Sequence, residues 1–150
     1  MTDYIKYEVR VYADGRKSWR LNGKLHREDG PAIEHPDGSK VWCLNGKLHR
    51  EDGPAEEYSS GRKFWYLNGK LHREDGPAVE WNDGTKSWWL NNKRHREDGP
   101  AVEYSDGYKD WYLNGKRLTQ EEFNKRMAPE VEMTMAQINE ALGKNVKVVK

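Results

Sequence analysis

The stretch DGSKVWCLNGKLHREDGPA, residues 37–55, contains the pattern from which the fold can be predicted. Its tryptophan, its leucine and its HREDGPA block all return along the chain at steps of 23 residues. The tryptophans are Trp19, Trp42, Trp65, Trp88 and Trp111, the leucines are Leu21, Leu44, Leu67, Leu90 and Leu113, and the blocks begin at His26, His49, His72 and His95. Such internal periodicity indicates one structural unit that is used five times.

Turn signals divide each unit into short strands. Asn45-Gly46 and its copies are typical of two-residue type I′ hairpins, because both central residues of that turn need a positive φ. Asp37-Gly38 and its copies form a second set, and the Gly-Pro pair breaks each unit a third time. Between these marks the residues alternate with period two, and no unit has room for a helix. We therefore predict a mainly β protein, a tandem β-hairpin repeat array built as an antiparallel meander or solenoid.

The strand register follows if both turns contain two residues. Ile33 then faces Trp42, His35 faces Lys40, and Trp42 faces His49. The same register in every unit places the repeated tryptophans and leucines on one side, and we predict that this side is the structural core. It also places an aromatic or histidine opposite a lysine in each unit, which predicts cation–π pairs. The first members are Tyr12, His35, Tyr58, Trp81 and Tyr104, and the lysines are Lys17, Lys40, Lys63, Lys86 and Lys109.

The ends of the chain differ from the repeats. We predict a five-unit array over residues 1–118 and a C-terminal α/β cap over residues 119–150. Thr119 and Glu122 match a capping box, which predicts a helix over 120–127 that stops before Pro129. Its side chains Phe123 and Met127 are expected to cover the last repeat.

The final residues contain a second helix signal. Thr134 and Gln137 match another capping box, Ile138 and Leu142 share a helix face, and Gly143 is placed as a C-cap. The β-rich segment 146–149 follows. The sequence leaves open whether 130–150 packs on the array, with 146–149 as a final strand, or is a mobile tail that docks on a partner.

The DGxKxWxLNGK unit resembles the MORN-repeat-variant family over about residues 7–118. The HREDGPA block is similar to repeats of uncharacterised bacteriophage and bacterial proteins, and some members of the wider family are described as antitoxin components. The resemblance implies a β-hairpin array that serves as an interaction scaffold and has no catalytic motif. The charged block and the C-terminal segment depart from the commoner unit, which leaves the partner unspecified.

Composition narrows the functional class. The net charge is +1, from 26 basic and 25 acidic residues that are interleaved along the chain, so a nucleic-acid partner is not expected. No stretch approaches 18 apolar residues, so no membrane span is expected. Cys43 is the single cysteine, which favours a reducing compartment. We predict the cytoplasm, which is the host cytoplasm if the protein is phage-encoded.

The charged blocks allow two interpretations. Fourfold repetition favours a structural ladder in which an arginine of one repeat pairs with an acid of its neighbour, with each histidine packed on a tryptophan. The alternative is a groove that binds a nucleotide-like small molecule. That groove would be lined by Arg27, Arg50, Arg73, Arg96, Tyr58, Trp81 and Tyr104. The spacings of His, Cys and Gly match no metal site and no nucleotide loop, so no metal or cofactor is predicted.

Positions whose residues vary between repeats are the better candidates for contacts with a specific partner. A scaffold keeps its framework constant and varies the residues that contact its partner, and aromatic clusters are typical interface anchors. The sequence leaves open whether these residues form an interface or the second half of a two-sided core. The candidate partner-binding residues are Arg20, Val41, Phe64, Tyr66, Trp89 and Tyr112.

These patterns predict a non-enzymatic repeat scaffold that binds another protein, and the resemblance implies a phage-encoded or antitoxin-like inhibitor of a host protein. Two alternatives remain at this point. One is a protein that binds or sequesters a nucleotide-like molecule, and the other is a structural module that assembles into homo-oligomers through its sheet edges.

Overall fold

The structure is a computed structural model that describes residues 6–129 and 134–143. Within these ranges the chain forms eighteen short antiparallel strands and two helices, which confirms the mainly β fold. The strands are β1 (Glu8–Val11), β2 (Lys17–Leu21), β3 (Lys24–Leu25), β4 (Ile33–Glu34), β5 (Lys40–Val41), β6 (Cys43–Leu44), β7 (Lys47–Leu48), β8 (Glu56–Glu57), β9 (Lys63–Phe64), β10 (Tyr66–Leu67), β11 (Lys70–Leu71), β12 (Val79–Glu80), β13 (Lys86–Ser87), β14 (Trp89–Leu90), β15 (Lys93–Arg94), β16 (Val102–Glu103), β17 (Lys109–Leu113) and β18 (Lys116–Leu118). The helices are α1 (Gln120–Met127) and α2 (Met135–Leu142).

The strands are arranged as a meander with short hairpins along one side. One sheet has the order β1-β2-β4-β5-β8-β9-β12-β13-β16-β17-β18, with β3 paired to β2. Three further hairpins, β6-β7, β10-β11 and β14-β15, form separate two-stranded ladders. At about 4.8 Å between neighbouring strands, the main sheet extends for roughly 48 Å.

The Asn-Gly turns have the predicted geometry. Asn45 has φ 52° and Gly46 has φ 80°, as a type I′ turn requires. Cys43 pairs with Leu48, and the His49 N–H donates to the Trp42 carbonyl at 3.1 Å. The predicted pairing of Trp42 with His49 is therefore confirmed.

The Asp-Gly turns contain three residues, and the two-residue register predicted for them is wrong. Ile33 pairs with Val41 and Glu34 pairs with Lys40. The His35 N–H donates to the Ser39 carbonyl at 2.9 Å, so three residues lie between this pair. Gly38 at φ 91° supplies the left-handed residue that a three-residue hairpin loop needs. The Asp37 carboxylate accepts the Ser39 N–H at 2.9 Å, which stabilises the longer loop.

A shift of one residue exchanges the two faces of a strand, so the corrected register redistributes the side chains. We call the surface that carries Lys17, Trp19, Leu21 and their copies the tryptophan face. The opposite surface, which carries Ser18, Arg20 and their copies, is the variable face. Because Ile33 pairs with both Ser18 and Val41, it belongs to the variable face and does not lie beside the tryptophans as predicted.

The lysines pair with glutamates, so the predicted lysine–aromatic pairs are not formed. Lys40 lies between Glu34 and Glu57, and Lys63 lies between Glu57 and Glu80. The alternation continues across the tryptophan face from Lys17 to Lys109. Opposite charges on facing strand positions stabilise antiparallel pairing, which accounts for the recurrence of Lys and Glu in these strands.

The tryptophans and leucines do not form the buried core that the sequence predicts. All ten are half-buried: Trp19, Trp42, Trp65, Trp88, Trp111, Leu21, Leu44, Leu67, Leu90 and Leu113. The described positions that are completely buried are the alanines Ala32, Ala55, Ala78 and Ala101. No large side chain of the described ranges is fully buried. Stability therefore depends on contacts along the sheet more than on a closed apolar interior.

Helix α1 begins as predicted and covers one end of the sheet. Both capping-box hydrogen bonds between Thr119 and Glu122 are present. Phe123 is only 5% exposed, as expected for a side chain that covers the last repeat. Met127 is 38% exposed, so it does not provide the cover that was predicted for it.

Helix α2 also has the predicted caps, with Thr134 and Gln137 at its start and Gly143 in the left-handed conformation at its end. The predicted strand at 146–149 lies outside the described residues. Neither of the two described helices has the length and apolarity needed to cross a membrane.

Candidate functional site

On the tryptophan face, an arginine lies over each of the first four repeated tryptophans. The Arg27 guanidinium carbon is 4.2 Å from the centroid of the Trp19 ring. The distances for the copies at Arg50, Arg73 and Arg96 are 4.0, 4.2 and 3.9 Å. Gly30 lies on the other side of the guanidinium, where an added Cβ would come within 3.0 Å of the guanidinium carbon. The glycine is required because the guanidinium lies between the indole and the backbone.

The side-chain hydrogen bonds of this arginine stay inside its own block and the strand that follows, while the Arg27 backbone N–H donates to the carbonyl of Cys43 in the next repeat at 3.0 Å. The Arg27 Nε donates to Asp29 at 2.9 Å, and Nη1 donates to Glu34 at 3.1 Å and to the Pro31 carbonyl at 3.3 Å. The same set recurs in the other three blocks. In the second block, the hydrogen bond from Arg50 lowers the pKa of the Asp52 carboxyl. Each arginine therefore pairs with an aspartate of its own block and with the glutamate of the strand that follows, and not with the acids of the neighbouring block as predicted.

The histidine side chains form hydrogen bonds between neighbouring repeats. The His26 Nδ1 accepts the backbone N–H of Asn45, the first residue of the next type I′ turn, at 3.0 Å. His49, His72 and His95 make the equivalent bond. An accepting Nδ1 means that the proton of the neutral ring is on Nε2, which faces Glu28 at 3.4 Å. The group that lies over each of the first four repeated indole rings is an arginine. The predicted packing of histidine on tryptophan is therefore replaced by packing of arginine on tryptophan.

Three open clefts lie between successive blocks on this face. One is lined by Trp42, Leu44 and the blocks that start at His26 and His49, and the other two repeat this arrangement one and two units further on. Their volumes are about 690, 780 and 590 Å³. The Glu and Asp side chains of the blocks are 60–85% exposed along the rims, so the entrances are acidic.

The residues predicted to line a nucleotide groove are divided between the two faces. The arginines Arg27, Arg50, Arg73 and Arg96 belong to the tryptophan face, where they pair with the glutamates of the lysine ladder. The aromatics Tyr58, Trp81 and Tyr104 belong to the variable face. Tyr58 and Trp81 both contact Phe64, and Tyr104 bonds to Asp110. The structure therefore does not bring the seven residues into one groove.

The variable face holds an aromatic cluster in its centre. Phe64 makes edge-to-face contacts with Tyr58 and Trp81, at ring separations of 5.9 and 5.5 Å. The Arg62 guanidinium lies 4.7 Å from the Tyr58 centroid. Edge-to-face contacts of this kind hold aromatic rings in fixed orientations.

A second cluster follows toward the C-terminus. The Arg94 guanidinium carbon is 5.2 Å from the ring of Trp89 and 5.2 Å from that of Tyr112. The Arg94 Nη1 donates to the Tyr112 hydroxyl at 3.3 Å, and the Trp89 Nε1 donates to Ser87 at 2.7 Å. These contacts hold the two aromatic rings on either side of one arginine.

All six predicted partner-binding residues lie on this face, and each of them is half-buried. They are Arg20, Val41, Phe64, Tyr66, Trp89 and Tyr112. The sequence left open whether these residues form an interface or part of the core. They contact one another, as core residues do, and they also remain partly accessible, as interface residues do.

Several exposed residues of this face were missed as partner-binding candidates. Tyr108 is 57% exposed, its ring is 5.7 Å from that of Tyr104, and its hydroxyl accepts a hydrogen bond from Arg117 at 3.2 Å. Trp81 and Tyr104 are 40% and 36% exposed, and they were predicted as cation–π partners of lysines and as groove residues. The three-residue loop puts Tyr104 and Tyr108 in the same hydrogen-bonded pair, and the two-residue register concealed that relation.

Glu56 lies in a row where three of the other units have an apolar residue. These residues are Ile33, Val79 and Val102, and the first unit has Arg10 at this position. Burial raises the pKa of the Glu56 carboxyl above its usual value, and the Tyr58 hydroxyl donates to it at 3.3 Å. Burial, with a smaller contribution from Glu56, raises the pKa of the Cys43 thiol to about 11. A high pKa means that Cys43 has little thiolate at neutral pH and is a poor nucleophile.

The variable face also carries arginines. Its strands contain Arg10, Arg20, Arg94 and Arg117 beside the acids Glu8, Glu56 and Asp110, and Arg16 and Arg62 follow Asp-Gly or Ser-Gly turns. Within the described ranges, the buried Nε groups of Arg16, Arg20 and Arg94 have no hydrogen-bond partner. The Nε groups on the tryptophan face all donate to aspartates. The two faces therefore use the same residue type in different ways.

No group of three or more His, Cys, Asp or Glu side chains is placed to share a metal ion in the part of the chain that the structure describes. A scan against protein-family models finds no match to the chain, and a search of curated proteins finds none either. The resemblance to MORN-variant repeats therefore stays a prediction from the repeat pattern.

Proposed function

We propose that the chain is a non-enzymatic repeat scaffold that binds another protein through its variable face. One observation carries the proposal. Six tyrosines and the two non-repeated tryptophans, Trp81 and Trp89, lie with six arginines on the surface whose residues differ from repeat to repeat, and Trp81, Tyr104 and Tyr108 are exposed. These three residue types dominate the energetics of known protein interfaces. The tryptophan face is less suited, because its arginines and histidines are already used in bonds inside the array.

The charge of the variable face indicates the chemistry of the partner. Positive charge borders the aromatic clusters of this surface, because Arg62 lies beside Tyr58 and Arg94 lies beside Trp89 and Tyr112. Potentials at protein interfaces are usually complementary. We therefore expect a partner surface that presents Asp and Glu side chains together with an apolar site for Trp81 or Tyr104.

Glu56 supports a functional demand on this face. A half-buried carboxylate among valine-type positions costs stability, since burial disfavours its charged form. Local exceptions to an otherwise consistent pattern are expected where a surface has a function beyond folding.

The nucleotide-binding alternative gains less support. In the clefts of the tryptophan face, the guanidinium groups are already paired with carboxylates, and exposed carboxylates form the rims. Such entrances repel phosphate groups. A role as a phage-encoded or antitoxin-like inhibitor, and the cytoplasm as its compartment, stay predictions that follow from the resemblance and from the single cysteine.

Affinity capture with matched variants tests the proposal. The tagged chain is incubated with lysate of the cell that produces it, beside two variants that are first shown to fold. The variable-face variant combines Trp81→Ala and Tyr104→Ala. The control combines Lys40→Ala and Lys63→Ala, which alter exposed residues of the tryptophan face.

We expect the wild type and the control to retain one protein that the variable-face variant loses. Truncation of anchor residues typically costs about 2 kcal/mol or more each, which weakens binding by about 30-fold per residue. Capture that survives in the variable-face variant, or that disappears in the lysine control, would assign binding to the wrong face and contradict the proposal.

A further inference from the structure

The two ends of the main sheet are finished differently. At the C-terminal end, α1 packs on β17 and β18, and Phe123 is buried there. At the other end, β1 pairs only with β2 among the strands of residues 6–129, and it is the terminal strand of the described sheet. All four residues of β1 are exposed, including Val9 at 51% and Val11 at 69%. Exposed valines on an edge strand are unusual, because such edges can pair with another chain.

The backbone of β1 shows which groups the edge offers. The Tyr12 N–H donates to the Arg16 carbonyl, so residue 12 faces β2. Bonding direction alternates along an antiparallel strand, so Arg10 and Glu8 also face β2. The N–H and C=O groups of Val9 and Val11 therefore point away from the sheet, toward whatever strand could be added.

We propose that this edge binds β1 of a second copy of the chain, antiparallel and about a two-fold axis at Val9. In this register Val9 faces Val9 of the other copy and Tyr7 faces Val11. Glu8 of each copy faces Arg10 of the other. The ion pairs lie on the variable face, where Glu8 and Arg10 pair with Arg20 and Ser18, and the apolar pairs lie on the tryptophan face beside Trp19.

The backbone restricts the choice of register. Only registers that pair Val9 and Val11 with each other or with Tyr7 use the outward N–H and C=O groups. The two registers nearest to the proposed one set Glu8 against Glu8 or Arg10 against Arg10. Like charges directly opposite each other destabilise strand pairing, so the edge is self-complementary in the register centred on Val9.

The dimer has a simple consequence for the array. An axis perpendicular to the sheet keeps both variable faces on the same side, so two arrays join into one continuous sheet. The interface of two short strands is small, so we expect weak, concentration-dependent association. The inference goes beyond the proposed binding function and does not rest on it.

Sedimentation equilibrium of the full chain tests the dimer. We expect the mass to rise from 17.6 kDa toward twice that value as the protein reaches on the order of 100 µM. Glu8→Arg and Arg10→Glu should each weaken dimerisation by on the order of tenfold, because each sets two pairs of like charges against one another. A mixture of the two variants should recover the dimer, because every facing pair in the mixed species is again of opposite charge.

A third variant tests the backbone bonds alone. Val9→Pro removes an N–H that β1 does not use toward β2, so the fold should be retained while the dimer is lost. A wild type that stays monomeric over the whole range would overturn the proposal. So would single reversals that dimerise as tightly as the wild type, or a mixture that recovers nothing. Lysate capture by the monomeric variants would still report on the variable face, so failure of one proposal is distinguishable from failure of the other.

Discussion

The two faces of the sheet are built from alternate residues of the same strands, yet they have different chemistry. On the tryptophan face, Trp65 has Arg73 over its ring in an arrangement that recurs in four repeats. On the variable face, the next residue, Tyr66, has Arg20, Cys43, Trp89 and Tyr112 at the equivalent positions. Repeated residues of the tryptophan face satisfy one another. The variable face has buried members, such as Cys43 at 4% and Val102 at 2% exposed, beside half-buried and exposed aromatic side chains. Strand alternation therefore places the repeated contacts and the varied side chains on opposite faces.

The largest expected difference is between two residues that are adjacent in the sequence, Trp65 and Tyr66, whose side chains lie on opposite faces. Trp65→Ala removes the surface on which Arg73 stacks, and we expect it to lower the free energy of unfolding by about 3 kcal/mol, the low end for buried tryptophans because Trp65 is half-buried. Tyr66→Ala should cost about 1–2 kcal/mol, since it leaves that stack intact. Urea denaturation of both variants gives the comparison. Equal losses would mean that the tryptophan face is not the main source of stability.

We expect an intermediate loss of stability when the glycine beside the stacked arginine is replaced by alanine. The Cβ of Gly53→Ala would meet the Arg50 guanidinium carbon at 2.9 Å, while Trp42 blocks retreat on the other side. We expect a loss of about 1–2 kcal/mol.

The control is the same glycine substitution in an Arg50→Ala background, compared in a double-mutant cycle. The cost should nearly vanish there, because the obstructing group is gone. If Gly53→Ala still lowers the free energy of unfolding without the arginine, Gly53 is needed for the backbone conformation and not for the room it gives Arg50.

The smallest expected effect concerns the variable face and depends on pH. The pKa of Glu56 is raised by burial, so the folded state binds its proton more tightly than the unfolded state. The stability contribution of this group is therefore highest below the unfolded pKa of about 4.3 and decreases as pH rises through the folded value. Relative to Glu56→Gln, the wild type should lose stability over that range. A difference that stays flat or increases with pH would contradict the burial assigned to Glu56.

The sequence predicts those parts of the fold that depend on local chemistry. Asn45-Gly46 specifies its turn because both residues need positive φ, and Thr119 with Glu122 specifies the start of α1. Asp37-Gly38 is ambiguous, since two-residue and three-residue hairpin loops both use this pair. The wrong choice exchanged Ile33 between the faces and concealed the pairing of Lys40 with Glu34.

The remaining contacts join residues that are distant in the chain. His26 meets the Asn45 N–H only after one repeat stacks on the next, and Arg27 reaches Trp19 only because Gly30 leaves room. The common period of these residues in the sequence indicates that they belong to one unit, but it does not say which of them touch. The six candidate interface residues were placed together correctly because their face depends on alternation within β strands, while Tyr108 was missed because its loop was assigned one residue too short.

Hydroxyl-radical footprinting of the complex with the captured protein tests the central claim most directly. Oxidation of Trp81, Tyr104 and Tyr108 reports on the variable face. A parallel acetylation of side-chain amines at Lys40 and Lys63 reports on the tryptophan face. We expect the three aromatic side chains to be protected from oxidation in the complex while both lysines remain as reactive as in the free chain. Protection of the lysines with the aromatics still oxidised would show that the partner binds the constant face, and the division of roles between the two faces would be wrong.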